Sequence, residues 1–322
     1  MRIGITVGDV GGIGPELIVK AISELSHKRE IKYMIFSPEK VFEKFKDKPW
    51  ARDFFDCESV DFVPVSYAEP LPAPGEERKE GGILAYNSIR KAVRYAFDGK
   101  ISAIVTSPIS KYALSLAKRR ITGHTELLGK LTKTKNTLML FWGDKLKVAL
   151  LTTHIPIKKV PKLTKRMYIE EKISLLNEFF TRITGGSSSK FAILGLNPHS
   201  GERGIIGKEE EEEFVLAIKM LKEKGVNVDG PFPSDAFFGR GLYEEYTVTI
   251  AVYHDQGLIP FKMLEPHGVN VTLGLPFVRT SPSHGTAFNI ADKFVAEPLS
   301  MINAIKLAYE LTFKIGPANH DV

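Results

Sequence analysis

Short apolar runs bounded by turn residues alternate along this chain with longer stretches of helical spacing. Ile3 to Val7, Ile31 to Phe36, Val60 to Val63 and Ala103 to Thr106 read as strands. A helix is expected from Pro15, well suited to a first turn, to about Leu25. Another is expected over Gly82 to Phe97, where Leu84, Ile89, Ala92 and Val93 recur at helical spacing. Tyr67 to Glu80, rich in proline and acids, reads as a loop. Further on, Tyr168 to Ile183 is an amphipathic helix, Gly185-Gly-Ser-Ser-Ser189 a flexible loop, Leu299 to Phe313 an apolar helix and Ala318 to Val322 a frayed tail. This alternation predicts an α/β architecture without internal repeats.

Three of the apolar runs lead into a histidine: Val148 onward into His154, Phe191 onward into His199, and Thr247 onward into His254. Such runs read as buried strands of a parallel sheet, and such sheets bind ligands beyond the carboxyl ends of their strands. Neutral imidazole is a common ligand of divalent ions, and three protein ligands with an open position describe a catalytic metal site. The plainer alternative, three separately hydrogen-bonded loop histidines, stands beside this reading. Zinc is the first choice of ion, with cobalt or magnesium as alternatives; imidazoles suit zinc, cobalt and nickel, whereas magnesium prefers oxygen.

The bulk numbers change the picture only slightly. With 322 residues, 43% hydrophobic and 25% charged, the chain can bury a large core in one big or two joined α/β domains. A single cysteine, Cys57, allows no internal disulfide and fits a reducing cytoplasm, and no segment is apolar enough for a signal peptide or membrane span. The net charge of +6 is scattered, without an aromatic-interleaved basic stripe, so it argues for anionic small molecules rather than nucleic acid. The acidic run Glu209 to Glu213 reads as the start of a helix that ends in Lys222-Glu-Lys-Gly225, charges matched to the helix dipole rather than a metal trap.

Gly8-Asp-Val-Gly-Gly-Ile-Gly14 lets backbone amides approach an anion at a helix start, but lacks the dinucleotide fingerprint, so a Rossmann fold is not supported. Ser283 to Asp292 is a second small-residue loop suited to an adenosine or its phosphate. His124-Thr125 opens a helix, with Thr125 expected at the N-cap. Lys262, Asn270 and Arg279 suit phosphate and carboxylate recognition, with a solvated surface as their alternative role.

Gly8 to Glu16, Thr106-Ser-Pro-Ile-Ser-Lys111, Gly123-His-Thr-Glu-Leu-Leu128, Thr152-Thr-His-Ile-Pro156, Leu196 to Glu202, Gly230 to Asp235, Tyr253-His-Asp-Gln-Gly257 and Asn270 to Arg279 occur in this order. In these segments the chain resembles the 4-hydroxythreonine-4-phosphate dehydrogenase family over nearly its full length. Val10-Gly11 replaces the family's usual Pro-Ala, which keeps the small-residue turn.

The resemblance implies a two-lobed isocitrate/isopropylmalate dehydrogenase-like fold. It implies His154, His199 and His254 as metal ligands, and His124, Thr125, Lys262, Asn270 and Arg279 as substrate-binding residues. For NAD or NADP it implies Gly12, Gly14 and Glu16 at one end, and Gly285, Thr286, Ala287 and Asn289 at the other. It further implies a homodimer that shares its active site, one metal ligand coming from the partner chain.

The expected reaction is oxidation of 4-phosphohydroxy-L-threonine at its 3-hydroxyl, then decarboxylation to 3-amino-2-oxopropyl phosphate, in pyridoxal 5'-phosphate biosynthesis. Lys111 and Asp235 are the candidate proton acceptors. The alternatives are a sister dehydrogenase acting on threonate or erythronate 4-phosphate, and a metal-dependent hydrolase or phosphate-binding module. The expected lobes are residues 1–128 with 262–322 and residues 129–261, with a cleft between them.

Overall fold

The computed structural model describes residues 1–28, 30–119, 121, 123–187 and 189–316. The expected tail at 318–322 and Ser188 of the 185–189 loop lie outside the described residues. The described strands are β1 (Arg2–Thr6), β2 (Lys32–Phe36), β3 (Val60–Val63), β4 (Ala103–Thr106), β5 (Leu138–Trp142), β6 (Lys147–Leu150), β7 (Phe191–Leu194), β8 (Val228–Phe232), β9 (Val248–Ala251), β10 (Val269–Leu273) and β11 (Val278–Pro282). The chain divides into two compact units, Met1–Lys135 with Leu275–Val322, and Asn136–Gly274. Against the expected limits, the crossings come at 135/136 and 274/275, so Lys262 and Asn270 stand in the second unit. The reason is β10, which pairs with β5 from Val269↔Trp142 to Leu273↔Leu138 and so belongs with the second unit.

In the first unit the strand order is β3-β2-β1-β4-β11, every neighbouring pair parallel. The helix Gly14–Leu25 starts with Pro15 in its first turn and buries Leu17, Ile18, Val19, Ile22 and Leu25. Each such side chain contributes about 1.5–3 kcal/mol when removed from water. The helix Lys79–Phe97 buries Leu84, Ile89, Ala92 and Val93, the face the spacing indicates, and Leu299–Ile315 packs on β11 and β4.

In the second unit the order is β10-β5-β6-β9-β7-β8. β6, β9, β7 and β8 are parallel, but β5 runs antiparallel to both β10 and β6. A tight reversal at Trp142-Gly-Asp-Lys-Leu146, closed by Gly143 N–H donating to the Leu146 carbonyl, makes β5 and β6 a hairpin. The parallel arrangement expected of the histidine-bearing runs therefore holds for β6, β9 and β7, and β5 adds an antiparallel neighbour to β6 that the apolar runs did not indicate. The core here is built from Phe141, Val148, Leu150, Leu194, Phe237, Leu258 and Phe261. Gly257 lets the helix His254–Leu264 lie close on β6 and β9, since a Cβ there would meet Val148 Cγ1 at 2.6 Å and Ala251 Cβ at 2.8 Å.

Candidate active site

His154 follows β6 by four positions and His254 follows β9 by three, and these two strands are parallel neighbours in register Leu150↔Ala251. Main-chain bonds continue past the strand ends, from Leu151 N–H to Ala251 O at 2.9 Å and from Thr152 N–H to Val252 O at 3.1 Å. The two imidazole rings are thereby brought to 5.8 Å between centroids. Two imidazoles bound to one ion through bonds of about 2 Å would have centroids about 5 Å apart, so the pair fits a shared ion with a small adjustment. Nδ1 of His254 lies 2.6 Å from Oδ1 of Asp255, which orients the ring and leaves Nε2 as the outward nitrogen.

His199 does not join this pair within one chain. Among the described residues no three His, Cys, Asp or Glu side chains gather closely enough to hold an ion. The residue follows β7 by five positions and is exposed, on a turn whose residues His199, Ser200, Gly201, Glu202 and Arg203 all have positive φ, from 44° to 79°. The four non-glycine residues cost about 1–2 kcal/mol each in this left-handed conformation. Asn197 anchors the turn: its N–H donates to Oε1 of Glu210 at 2.7 Å, and its Nδ2 donates to Oε2 of Glu210 and of Glu209 at 2.9 Å. Glu210, 1% exposed, opens the π-helical turn Glu210–Phe214. Of the acidic run, Glu210 is thus a buried clamp, a role that charge matching to the helix dipole does not reveal.

Gln256 is a second residue whose role only the structure shows. Its Oε1 accepts from Val252 N–H at 2.6 Å, and its Nε2 donates to Gly195 O at 2.7 Å and Ser234 Oγ at 2.8 Å. It ties together the segments after β9 and β7 and the start of the helix Ser234–Gly239, which carries exposed Asp235. Lys262 is exposed on the helix that His254 begins. Asn270, on β10, has a buried Oδ1 without a partner among the described residues, an acceptor suited to a donor from a ligand.

In the first unit, Arg279 on β11 is 1% exposed rather than solvated, and its Nη2 donates to Thr106 Oγ1 at 2.6 Å. Burial pushes its guanidinium down to about 9, opposed by the nearby Glu126 carboxylate, so it stays charged at neutral pH. Burial, and then the charge of Arg279, hold the His124 imidazole well below its ordinary range, so the ring is neutral. Its Nε2 is buried without a partner among the described residues. Thr125 is not the N-cap. Gly123 takes that place in an extended conformation and its carbonyl accepts from Leu127 N–H at 3.1 Å, so His124 begins the helix and Thr125 is its second residue. Lys111 begins the helix Lys111–Leu116, exposed, after the Ser110 cap.

The two small-residue loops meet, Ile13 N–H donating to Thr286 O at 2.9 Å. A Cβ on Gly12 would lie 2.6 Å from Thr286 O, and one on Gly14 2.6 Å from Val7 O, so both glycines accommodate the protein's own backbone. Glu16 is buried and accepts from Ala296 N–H at 2.9 Å while pairing with Lys20 at 2.7 Å, which fastens the segment that follows the second loop. Gly285 faces open space, Asn289 is exposed, and Ala287 has φ +45°. The second loop therefore carries the accessible donors, and the first loop supports it.

Paired imidazoles beyond parallel strands, and in the other unit a buried guanidinium beside a helix start, give an α/β protein side chains suited to anionic small molecules. The family described as pyridoxal phosphate biosynthetic protein PdxA matches residues 14–308, and the chain belongs to this family of dehydrogenases. It is 40% identical to a 4-hydroxythreonine-4-phosphate dehydrogenase of Desulforapulum autotrophicum, covering 95% of this chain and 94% of that one. It is 38% identical to a D-threonate 4-phosphate dehydrogenase of Pectobacterium atrosepticum, covering 96% of this chain and 98% of that one. The crystal structure of 4-hydroxythreonine-4-phosphate dehydrogenase from Klebsiella pneumoniae superposes with a TM-score of 0.82 at 36% identity, covering 96% and 97% of the two chains. The protein is an oxidoreductase with the α/β fold of these dehydrogenases, the isocitrate/isopropylmalate dehydrogenase-like type expected from its motifs.

Proposed function

We propose that the chain oxidises 4-phosphohydroxy-L-threonine at its 3-hydroxyl with NAD or NADP and one divalent metal ion. The 3-oxo acid so formed loses carbon dioxide to give 3-amino-2-oxopropyl phosphate, in pyridoxal 5'-phosphate biosynthesis. The observation that carries this reading is the His154–His254 pair at 5.8 Å, with His254 oriented by Asp255. When bound, the ion makes the substrate hydroxyl more acidic while the nicotinamide takes the hydride. Zinc is the preferred ion, with cobalt or magnesium as substitutes.

The chain's own residues hold and orient. His154 and His254 supply two imidazoles to the ion, and His199 of a second copy supplies the third. Support for a homodimer comes from Ile157, Met167, Ile205, Ile259 and Met263 of the second unit, all more than 60% exposed apolar side chains. Neutral His124 and charged Arg279, with Thr125 at the same helix start, favour an anionic group there. Asn270 accepts from the substrate's ammonium, and Lys262 adds a cation. Lys111 or Asp235 receives the hydroxyl proton. Gly285, Thr286, Ala287 and Asn289 face the nucleotide, with Gly12, Gly14 and Glu16 holding their loop in place.

The D-threonate 4-phosphate relative, nearly as similar as the first, favours a second reading in which threonate 4-phosphate is the substrate. Turnover of 4-phosphohydroxythreonine and 4-phosphothreonate, followed by absorbance of reduced nicotinamide, decides between them. Preference for 4-phosphohydroxythreonine is expected, faster oxidation of the threonate overturns the first reading, and silence with both overturns the two together.

A further inference from the structure

We infer that Glu210 is a positioning residue for His199, acting through Asn197 and the left-handed turn 199–203. The inference rests on the proposed metal role of His199. A turn of this hand is strained, because its side chains crowd the following carbonyls, and its own backbone bonds, such as Ser200 N–H to Asn197 O and Ile206 N–H to Gly201 O, both at 3.1 Å, are joined by an outside grip. Here it is gripped from one side by a single carboxylate that uses both oxygens: Oε1 takes the Asn197 N–H at 2.7 Å and Oε2 the Asn197 Nδ2 at 2.9 Å. Asn197 Nδ2 also reaches Oε2 of Glu209 at 2.9 Å.

Gly201 shows how tightly the grip fits. A Cβ there would stand 2.7 Å from Oε2 of Glu210 and 2.6 Å from the Gly207 carbonyl. Glu210 is 1% exposed, whereas His199 is exposed, so the acid touches the turn from the protein side and the imidazole projects from the other. The direction of donation matters. Asn197 gives both protons and Glu210 receives both, so an amide at 210 that keeps its oxygen on the Asn197 N–H sets its NH2 against the Asn197 Nδ2, and inverting the side-chain partners restores the match while the N–H keeps its acceptor.

The full-length protein is titrated with cobalt, followed by its visible absorption, alongside hydrogen exchange of residues 197–207. Glu210→Gln is expected to weaken cobalt binding about 10- to 100-fold and to speed exchange in the turn, with thermal unfolding still cooperative. Gly201→Ala, which leaves the carboxylate in place but obstructs the turn, is expected to act in the same direction. The triple variant Asn197→Asp, Glu209→Gln, Glu210→Gln, in which both amides donate to residue 197, is expected to recover affinity to within a few-fold of wild type. Unchanged cobalt affinity in Glu210→Gln, or faster exchange without weaker binding, overturns the inference. Wild-type protein that binds no cobalt overturns the metal reading itself and with it any metal role for this clamp.

Discussion

Asp9 shows what one buried carboxyl can do to the whole chain. It is fully buried in the glycine loop, its Oδ1 accepting from Gly11 N–H at 3.1 Å and its Oδ2 lacking a partner among the described residues. Burial, reinforced by the neighbouring Glu77 carboxylate, pushes it up to about 7, against 3.8 in the unfolded chain. The folded protein therefore keeps a proton that the unfolded chain releases, and this group's contribution to stability falls as pH rises from about 4 to about 7, then levels off. Asp9→Asn keeps an acceptor for Gly11 and removes that dependence. Its stability gain over wild type is expected to grow across the window towards an upper bound of about 4 kcal/mol, read from melting temperatures at several pH values. Parallel melting curves for the two proteins would falsify this.

Proton transfer is tested at the same scale. Of the two proposed acceptors, the one that takes the proton is expected to be marked by a fall in kcat of about 100-fold or more, with little change in KM, in Lys111→Ala or Asp235→Asn. Equal, small effects of both variants exclude the pair. The histidines were legible one by one, because each closes a strand with its own sequence signal. Gln256 and Glu210 were not: both act on main-chain groups of distant segments, and Glu210 sits in a row of identical acids that hides which of them is buried.

At the level of elements, the parallel strands β6, β7 and β9 could be read from apolar runs, since burial on both faces leaves an unbroken signature. The β5–β6 reversal could not, because Gly143-Asp144 has too few residues to stand out from an ordinary turn. The helix at His124 was found and its start misjudged by two residues, since an extended glycine caps by its backbone alone. The left-handed turn had no sequence signal beyond Gly201. Gln256→Leu leaves Val252 N–H, Gly195 O and Ser234 Oγ unpaired, and is expected to lower stability by about 3 kcal/mol in denaturant unfolding while weakening metal affinity through His254. A loss below about 0.5 kcal/mol speaks against the staple.

For the whole molecule, the decisive question is whether His199 serves the copy it belongs to. His154→Ala and His199→Ala are each expected to be inactive alone. After unfolding and refolding together, about a quarter of wild-type activity is expected to return, because in the proposed homodimer half the pairs would be mixed and each mixed pair would rebuild one of two sites. No recovery means the three imidazoles belong to a single chain. Family membership was visible in eight ordered motifs, but the crossing points at 135/136 and 274/275 depend on β10 choosing β5, a long-range pairing that no local segment encodes.

The first unit is interrupted in sequence, and its strand β4 finds its outer neighbour only in β11, Val278–Pro282. During synthesis at ~5–20 residues per second, the free flank of Ala103–Thr106 therefore waits about ten to thirty seconds for its mate. The uninterrupted second unit can close in the meantime, while that bare backbone edge invites mispairing with other nascent chains. Any truncation before Val278 leaves this vulnerability permanent, so protein shortened at its carboxyl end should reach inclusion bodies rather than yield a smaller working enzyme.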